Sequence, residues 1–195
     1  MAAGQARKAL QSVILLIAVI AAAYAIMKPL LEKEGDLIKV GEAVPDFTLV
    51  NMEGEAVELK DYRGKGVIIN FWGTWCGPCE KEMPRMNEAY RSKPDDVEIL
   101  AVNLPESPVS VSAFVEKYGI DFPVLMDADG DVVAAYKVGP IPVTFLVDEN
   151  GILQERILGE LSTVEYIQEL MSSINPVKDG LRNSAAETAE NISFR

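Results

Sequence analysis

The only two cysteines of the 195-residue chain stand three apart, in Trp75-Cys76-Gly77-Pro78-Cys79. Apolar, strand-like residues precede them and an amphipathic helical run follows. Two thiols at such a junction can close on each other as a small ring, which suits thiol–disulfide exchange. One thiolate attacks a partner disulfide, and the second thiol resolves the mixed disulfide. A helix N-terminus presents free N–H groups and partial positive charge, which favours the thiolate on Cys76 and makes it the candidate nucleophile. Cys79 is then the resolving thiol. Glu82 lies three residues further on and shares that side of the helix with Cys79. Trp75, beside the nucleophile, offers an aromatic docking surface.

Composition removes several other chemistries. There is no histidine, so Cys–His and Ser–His catalysis and His-containing zinc sites are out. Two cysteines alone cannot close a four-ligand zinc site. Neither a cofactor nor a metal is expected. The formal charge is −12, and Arg7, Lys8 and Lys28 sit in an N-terminal region without acids, so the body is more acidic still. Such a body argues against nucleic acid as a partner, because phosphate binding rests on clustered Lys and Arg.

The elements that must hold the cysteines can be read on either side of them. Val67 to Trp72 is apolar at nearly every position, which predicts a central strand covered on both faces. Asn70 shares a face of it with Ile68 and Trp72, so a buried, hydrogen-bonded structural role is expected. Met83, Met86 and Tyr90 give the buried stripe of the following helix, with Pro84 expected to kink it. Phe47, Leu49, Val57 and Leu59 alternate around Asn51-Met52-Glu53-Gly54, which predicts an N-terminal β-hairpin. Val97 to Val102 reads as a strand. Val111, Phe114, Val115 and Tyr118 read as a helix ended by Gly119, and Val124 to Met126 as a short strand before an Asp127–Gly130 turn. A hairpin of 143–148 and 152–158 follows. The last helix is expected to open on a capping box at Ser162-Thr163-Val164-Glu165 and to bury Ile167, Leu170, Met171 and Ile174. These elements predict an α/β domain over a mixed central sheet flanked by helices, spanning 44–174.

At the N-terminus, a short basic tail over 1–8 precedes 19 uncharged residues, Ala9 to Met27. At about 1.5 Å per residue they nearly span a bilayer core of about 30 Å. The stretch is longer than an ordinary signal core, so it is read as an uncleaved single-pass anchor, although Ala21 to Ala25 holds A-x-A patterns. Residues 28–43 form a charged linker. The basic tail resembles an export signal, which places the domain outside the cytoplasm. From 175 to 195 apolar residues thin out and a disordered tail is expected.

Trp75-Cys76-Gly77-Pro78-Cys79 after an apolar strand resembles the thioredoxin superfamily. Ile141-Pro142-Val143-Thr144 resembles its cis-proline loop, Asp148-Glu149-Asn150-Gly151 its final hairpin turn, and Leu158-Gly159-Glu160-Leu161-Ser162 the glycine loop before its last helix. Within the superfamily the chain is similar to the membrane-anchored extracytoplasmic TlpA/ResA type. Asn70 to Cys76, Glu82-Met83-Pro84, Val97 to Asn103 and Tyr136 to Pro142 carry that likeness. The resemblance implies a thioredoxin-like fold with a central helix–strand insertion. It also implies a Cys76–Cys79 redox disulfide, a cis Ile141–Pro142 bond that helps hold substrate backbone, and acid–base work by Glu82. Its implied partners are disulfide-bearing clients, apocytochrome c first among them, and a transmembrane thiol electron donor; a monomer is expected.

Two positions depart from the pattern. Gly77 stands where the ResA type commonly has Glu, and Asn70 where thioredoxin has a buried Asp. A thiol peroxidase of peroxiredoxin type is the alternative enzyme, but it needs P-x-x-x-T-x-x-C, and Ile69 and Gly73 occupy the Pro and Thr places. A copper-delivery or binding module on the same fold is the non-enzymatic alternative. The absence of histidine counts against it.

Overall fold

The computed structural model describes residues 14–24 and 37–176. Two compact units are present, 1–37 and 38–195. In the first, residues 14–24 are helical (α1), and its apolar side chains from Ile14 to Ile20 are exposed. Among the described residues no helix is long and apolar enough to cross a membrane. The ends of the 9–27 stretch lie outside the described residues, as do the basic tail and the residues after 176.

The second unit carries a seven-stranded mixed sheet, ordered β2-β1-β5-β4-β3-β6-β7. Its strands are β1 (Thr48–Asn51), β2 (Ala56–Glu58), β3 (Gly66–Trp72), β4 (Val97–Asn103), β5 (Val124–Met126), β6 (Val143–Val147) and β7 (Leu153–Leu158). Strands β3, β4 and β5 run parallel; β6 is antiparallel to β3 and β7, and β1 is antiparallel to β2 and β5. The helices are α2 (Gly77–Tyr90), α3 (Pro108–Tyr118), α4 (Asp131–Ala135) and α5 (Val164–Ser173). The unit α3–β5 is the central insertion.

Strand β3 is buried at all seven positions because both of its faces are covered. Ile68 and Trp72 face a core shared with α2, α3 and α5, containing Met83, Met86, Phe114, Ile167 and Leu170. Val67, Ile69 and Phe71 face a second core with Phe47, Tyr136, Phe145 and Leu153. Its alternate side chains therefore report two environments, and the strand reads as uniformly apolar.

Several boundaries differ from the sequence reading. Leu59 does not extend β2; it opens a 3-10 turn over Leu59–Tyr62 and is buried there. The cap of α5 is Thr163, whose side chain accepts from the Tyr166 N–H at 3.1 Å. With Thr163 as cap the third helical position is Tyr166, so no capping box forms. Helix α2 does run through Pro84 to Tyr90, as its buried stripe predicts. Asn175, placed in the tail by composition, is buried. The short α4 follows the Asp127–Gly130 turn, where the sequence pattern marks no helix. The Asp127 carboxylate accepts from the N–H groups of Val132 (3.3 Å) and Val133 (2.8 Å) and so nucleates it.

Gly66 opens β3 where the chain cannot carry a side chain. A Cβ there would lie 2.2 Å from the Ile174 carbonyl oxygen at the end of α5. Gly66→Ala is expected to cost about 1–3 kcal/mol, read as a lowered urea midpoint. Gly77→Ala, whose Cβ meets nothing within 4 Å, is expected to leave that midpoint unchanged.

Candidate functional site

The site lies at the C-terminal ends of β3 and β4, where register pairs Trp72 with Asn103. After Trp72 the chain turns sharply: the Cys76 N–H donates to the Gly73 carbonyl at 3.2 Å, and α2 begins at Gly77. Pro78 sits in the first turn, where its missing N–H costs nothing. Cys76 is the N-cap, and its sulfur accepts from the Cys79 N–H at 3.2 Å. The two cysteines are joined as a disulfide.

Their surroundings are unequal. Cys79 is fully buried, whereas Cys76 keeps 6% of its surface open at the edge of the site. The Cys76 sulfur lies 3.8 Å from the Ile141 carbonyl oxygen, and Ile141–Pro142 is cis. The loop expected from sequence to face the cysteines does face them. Trp75 is 65% exposed beside the disulfide. It folds back over Gly73, where a Cβ would come within 2.9 Å of the indole.

Behind the disulfide, Glu82 is fully buried, one turn beyond Cys79. Its Oε1 accepts from Asn70 Nδ2 at 2.7 Å and its Oε2 from the Leu161 N–H at 2.6 Å. Burial pushes its carboxyl up from 4.5 to about 7, against the two hydrogen bonds, which pull it down. Asn70 is buried as expected, and its Nδ2 also donates to Thr144 Oγ1 at 3.1 Å. The loop before α5 joins these parts. The Gly159 N–H donates to the Pro142 carbonyl at 2.9 Å, and Leu161 reaches Glu82.

Sequence reasoning missed three contributors. Thr144 and Leu161 touch the site through Asn70 and Glu82. Glu106, in the β4–α3 loop, accepts from the Thr74 N–H at 2.9 Å, from Thr74 Oγ1 at 2.5 Å and from Asn103 Nδ2 at 2.7 Å. Thr144 and Leu161 lie in the cis-proline and glycine loops marked from sequence, but their bonds to Asn70 and Glu82, like those of Glu106 to the turn, follow only from the strand order. Glu80 faces away from the pair. It accepts from the Tyr118 hydroxyl and from Lys117 Nζ, and these partners hold its carboxyl below the usual range.

Among the described residues no group of three or more His, Cys, Asp or Glu side chains converges as a metal site. A cleft of about 490 Å³ between β1 and α4, lined by Asp46, Phe47, Asp131 and Tyr136, opens on the opposite face of the sheet. It contains no cysteine. The chemistry is at the cysteines.

A redox disulfide at a helix N-terminus, beside a cis-proline at one end of a mixed sheet, defines a thioredoxin-like thiol–disulfide oxidoreductase. Residues 40–156 match the AhpC/TSA family. The thiol–disulfide oxidoreductase ResA of Geobacillus kaustophilus is 46% identical over 173 residues, covering 88% of this chain and 98% of that protein. ResA of Bacillus subtilis is 41% identical over 164 residues, covering 84% and 90%. The crystal structure of StoA from Bacillus subtilis superposes with a TM-score of 0.59 at 30% identity, over 66% of this chain and 98% of that one. The chain belongs to the AhpC/TSA family and, within it, to the ResA thiol–disulfide oxidoreductases.

Glu82 sets a pH dependence with a definite sign. A carboxyl raised from 4.5 to about 7 binds more protons folded than unfolded between those values. Stability of the oxidised protein should therefore fall as pH rises from about 4.5 to 7, by on the order of 3 kcal/mol from this group. Glu82→Gln should flatten that slope in urea unfolding measured across the range.

Proposed function

We propose that the chain is a membrane-tethered reductase of protein disulfides, working outside the cytoplasm, with residues 9–27 as its anchor. The unequal exposure of Cys76 and Cys79 carries the chemical part of this reading. In the reduced enzyme the Cys76 thiolate attacks one sulfur of a client disulfide. That S–S bond breaks, a mixed disulfide forms, and the released client thiolate takes a proton. Cys79 then loses its proton and attacks the Cys76 sulfur. The client leaves as a dithiol, having gained two electrons and two protons, and Cys76–Cys79 is a disulfide again.

Cys79 is buried, so its proton needs an acceptor that works without water. Glu82 fills that role, because a carboxyl poised near 7 can take or give a proton at neutral pH. The cis Ile141–Pro142 loop and Trp75 hold the client against Cys76. A transmembrane thiol donor returns two electrons to the disulfide. Support for apocytochrome c as the first client comes from the likeness to the ResA type, and its haem-binding thiols must be reduced. The uncharged run from Ala9 to Met27 supports the tether.

Cys79→Ala removes the resolving thiol, so Cys76 should accumulate as mixed disulfides, with apocytochrome c among the clients named by mass spectrometry. Trapping of other proteins without it would overturn the client assignment. No trapping at all, with wild-type behaviour of Cys76→Ala, would overturn the reductase. Topology is tested separately: a membrane-impermeant maleimide should label Cys76 in intact cells after mild reduction, and protection until lysis would place the domain inside.

A further inference from the structure

We propose that Glu106 is a positioning residue for the redox site. It holds the Thr74–Cys76 turn to the end of β4 and thereby sets how Trp75 and the Cys76 sulfur meet a protein client. This rests on the oxidoreductase chemistry alone and not on which client is used.

Gly73 and Cys76 at the ends of this turn are buried, but the two residues between them have little apolar packing. Trp75 is 65% exposed and Thr74 is only half-buried. Thr74 is instead held by its polar groups, both of which donate to Glu106: the N–H to Oε1 and the hydroxyl to Oε2. Glu106 Oε1 also accepts from Asn103 Nδ2, and Asn103 is fully buried at the end of β4. One carboxylate thus staples the outer loop to the rigid sheet through three bonds, the kind of charge-assisted contact that carries geometric precision. Thr74 is the residue before Trp75, and Cys76 must hold its sulfur beside the Ile141 carbonyl. Release of the staple frees the segment that carries both.

The consequence depends on the substrate. Sulfur attack on a disulfide requires alignment with the bond being broken. A small disulfide can turn to meet a mobile sulfur, but a folded client docked on Trp75 and the cis-proline cannot. Loss of position therefore penalises protein clients more than small ones.

Geometry and charge can be separated at this residue. A glutamine can keep the staple: its oxygen accepts from the Thr74 N–H and Asn103, and its NH₂ donates to the Thr74 hydroxyl, which rotates to accept. Alanine removes every contact.

The full-length protein and its Glu106→Ala and Glu106→Gln variants are compared on insulin and on 5,5′-dithiobis(2-nitrobenzoate). Expected for Glu106→Ala is a loss of about 10- to 50-fold in kcat/KM on insulin, with the small disulfide within about threefold. Glu106→Gln should restore insulin reduction to within about threefold of wild type. Thr74 amide exchange should quicken in Glu106→Ala and not in Glu106→Gln. A wild-type insulin rate in Glu106→Ala overturns the proposal, as does an equal loss on both substrates. A Glu106→Gln variant as impaired as alanine overturns it too, since charge rather than position would then be at work. If Glu106→Ala does not fold by circular dichroism, Thr74→Val takes its place. A selective loss on insulin of about threefold or more then supports the proposal, and an unchanged rate overturns it.

Discussion

A carboxyl group shut away from water under the active-site helix is the constraint around which this domain is arranged. An ionised carboxylate in an apolar interior costs several kcal/mol unless it is neutralised or well hydrogen-bonded. Glu82 receives two short bonds, one from Asn70 on β3 and one from the Leu161 N–H before α5. They are not enough to offset burial, so its carboxyl is poised near neutrality. The three elements that meet at Glu82 are the central strand, the cysteine helix and the last helix's entry loop. Moving any of them would leave the acid or its donors unpaired.

The same strand order explains how the inserted unit takes part. Because β4 lies beside β3 in parallel register, the β4–α3 loop comes next to the β3–α2 loop. Glu106 then grips the turn before the cysteines, and Tyr118 and Lys117 of α3 grip Glu80 just after them. Phe114 of the same helix packs its ring against Trp72. The β4–α3 loop and α3 thus hold the segments before and after the redox pair, and the aromatic face of α3 continues the core beneath it.

Much of this was legible in sequence because it is local. The C-x-x-C spacing, the apolar run of β3 and the stripe of α2 all depend on residues within a few positions of one another. Period-two alternation placed Asn70 on the face with Ile68 and Trp72, and it is buried there. Helical spacing put Glu82 on the side of Cys79. Likeness to a known family supplied the cis Ile141–Pro142 bond, which spacing alone does not encode. Local reading failed where two cues compete: Ser162 and Thr163 are both good caps, and only Thr163 lies at the right distance from Tyr166. It failed also at α4, where one carboxylate, Asp127, turns an apparent loop into a helical turn.

The sequence by itself determined the chemistry available to this protein: two thiols, no imidazole, an acid three residues beyond the second thiol, and a strand that must be buried on both faces. Residue type and short-range period settle those matters. Only the tertiary structure decided what surrounds that chemistry. The bonds from Thr74 to Glu106, Asn70 to Thr144 and Leu161 to Glu82 join residues 32, 74 and 79 positions apart. Such contacts exist because β3 lies between β4 and β6, an order that no local pattern specifies. A glutamate drawn from sequence as one side of a helix became a fully buried acid for the same reason: its burial comes from the sheet and loop laid over it.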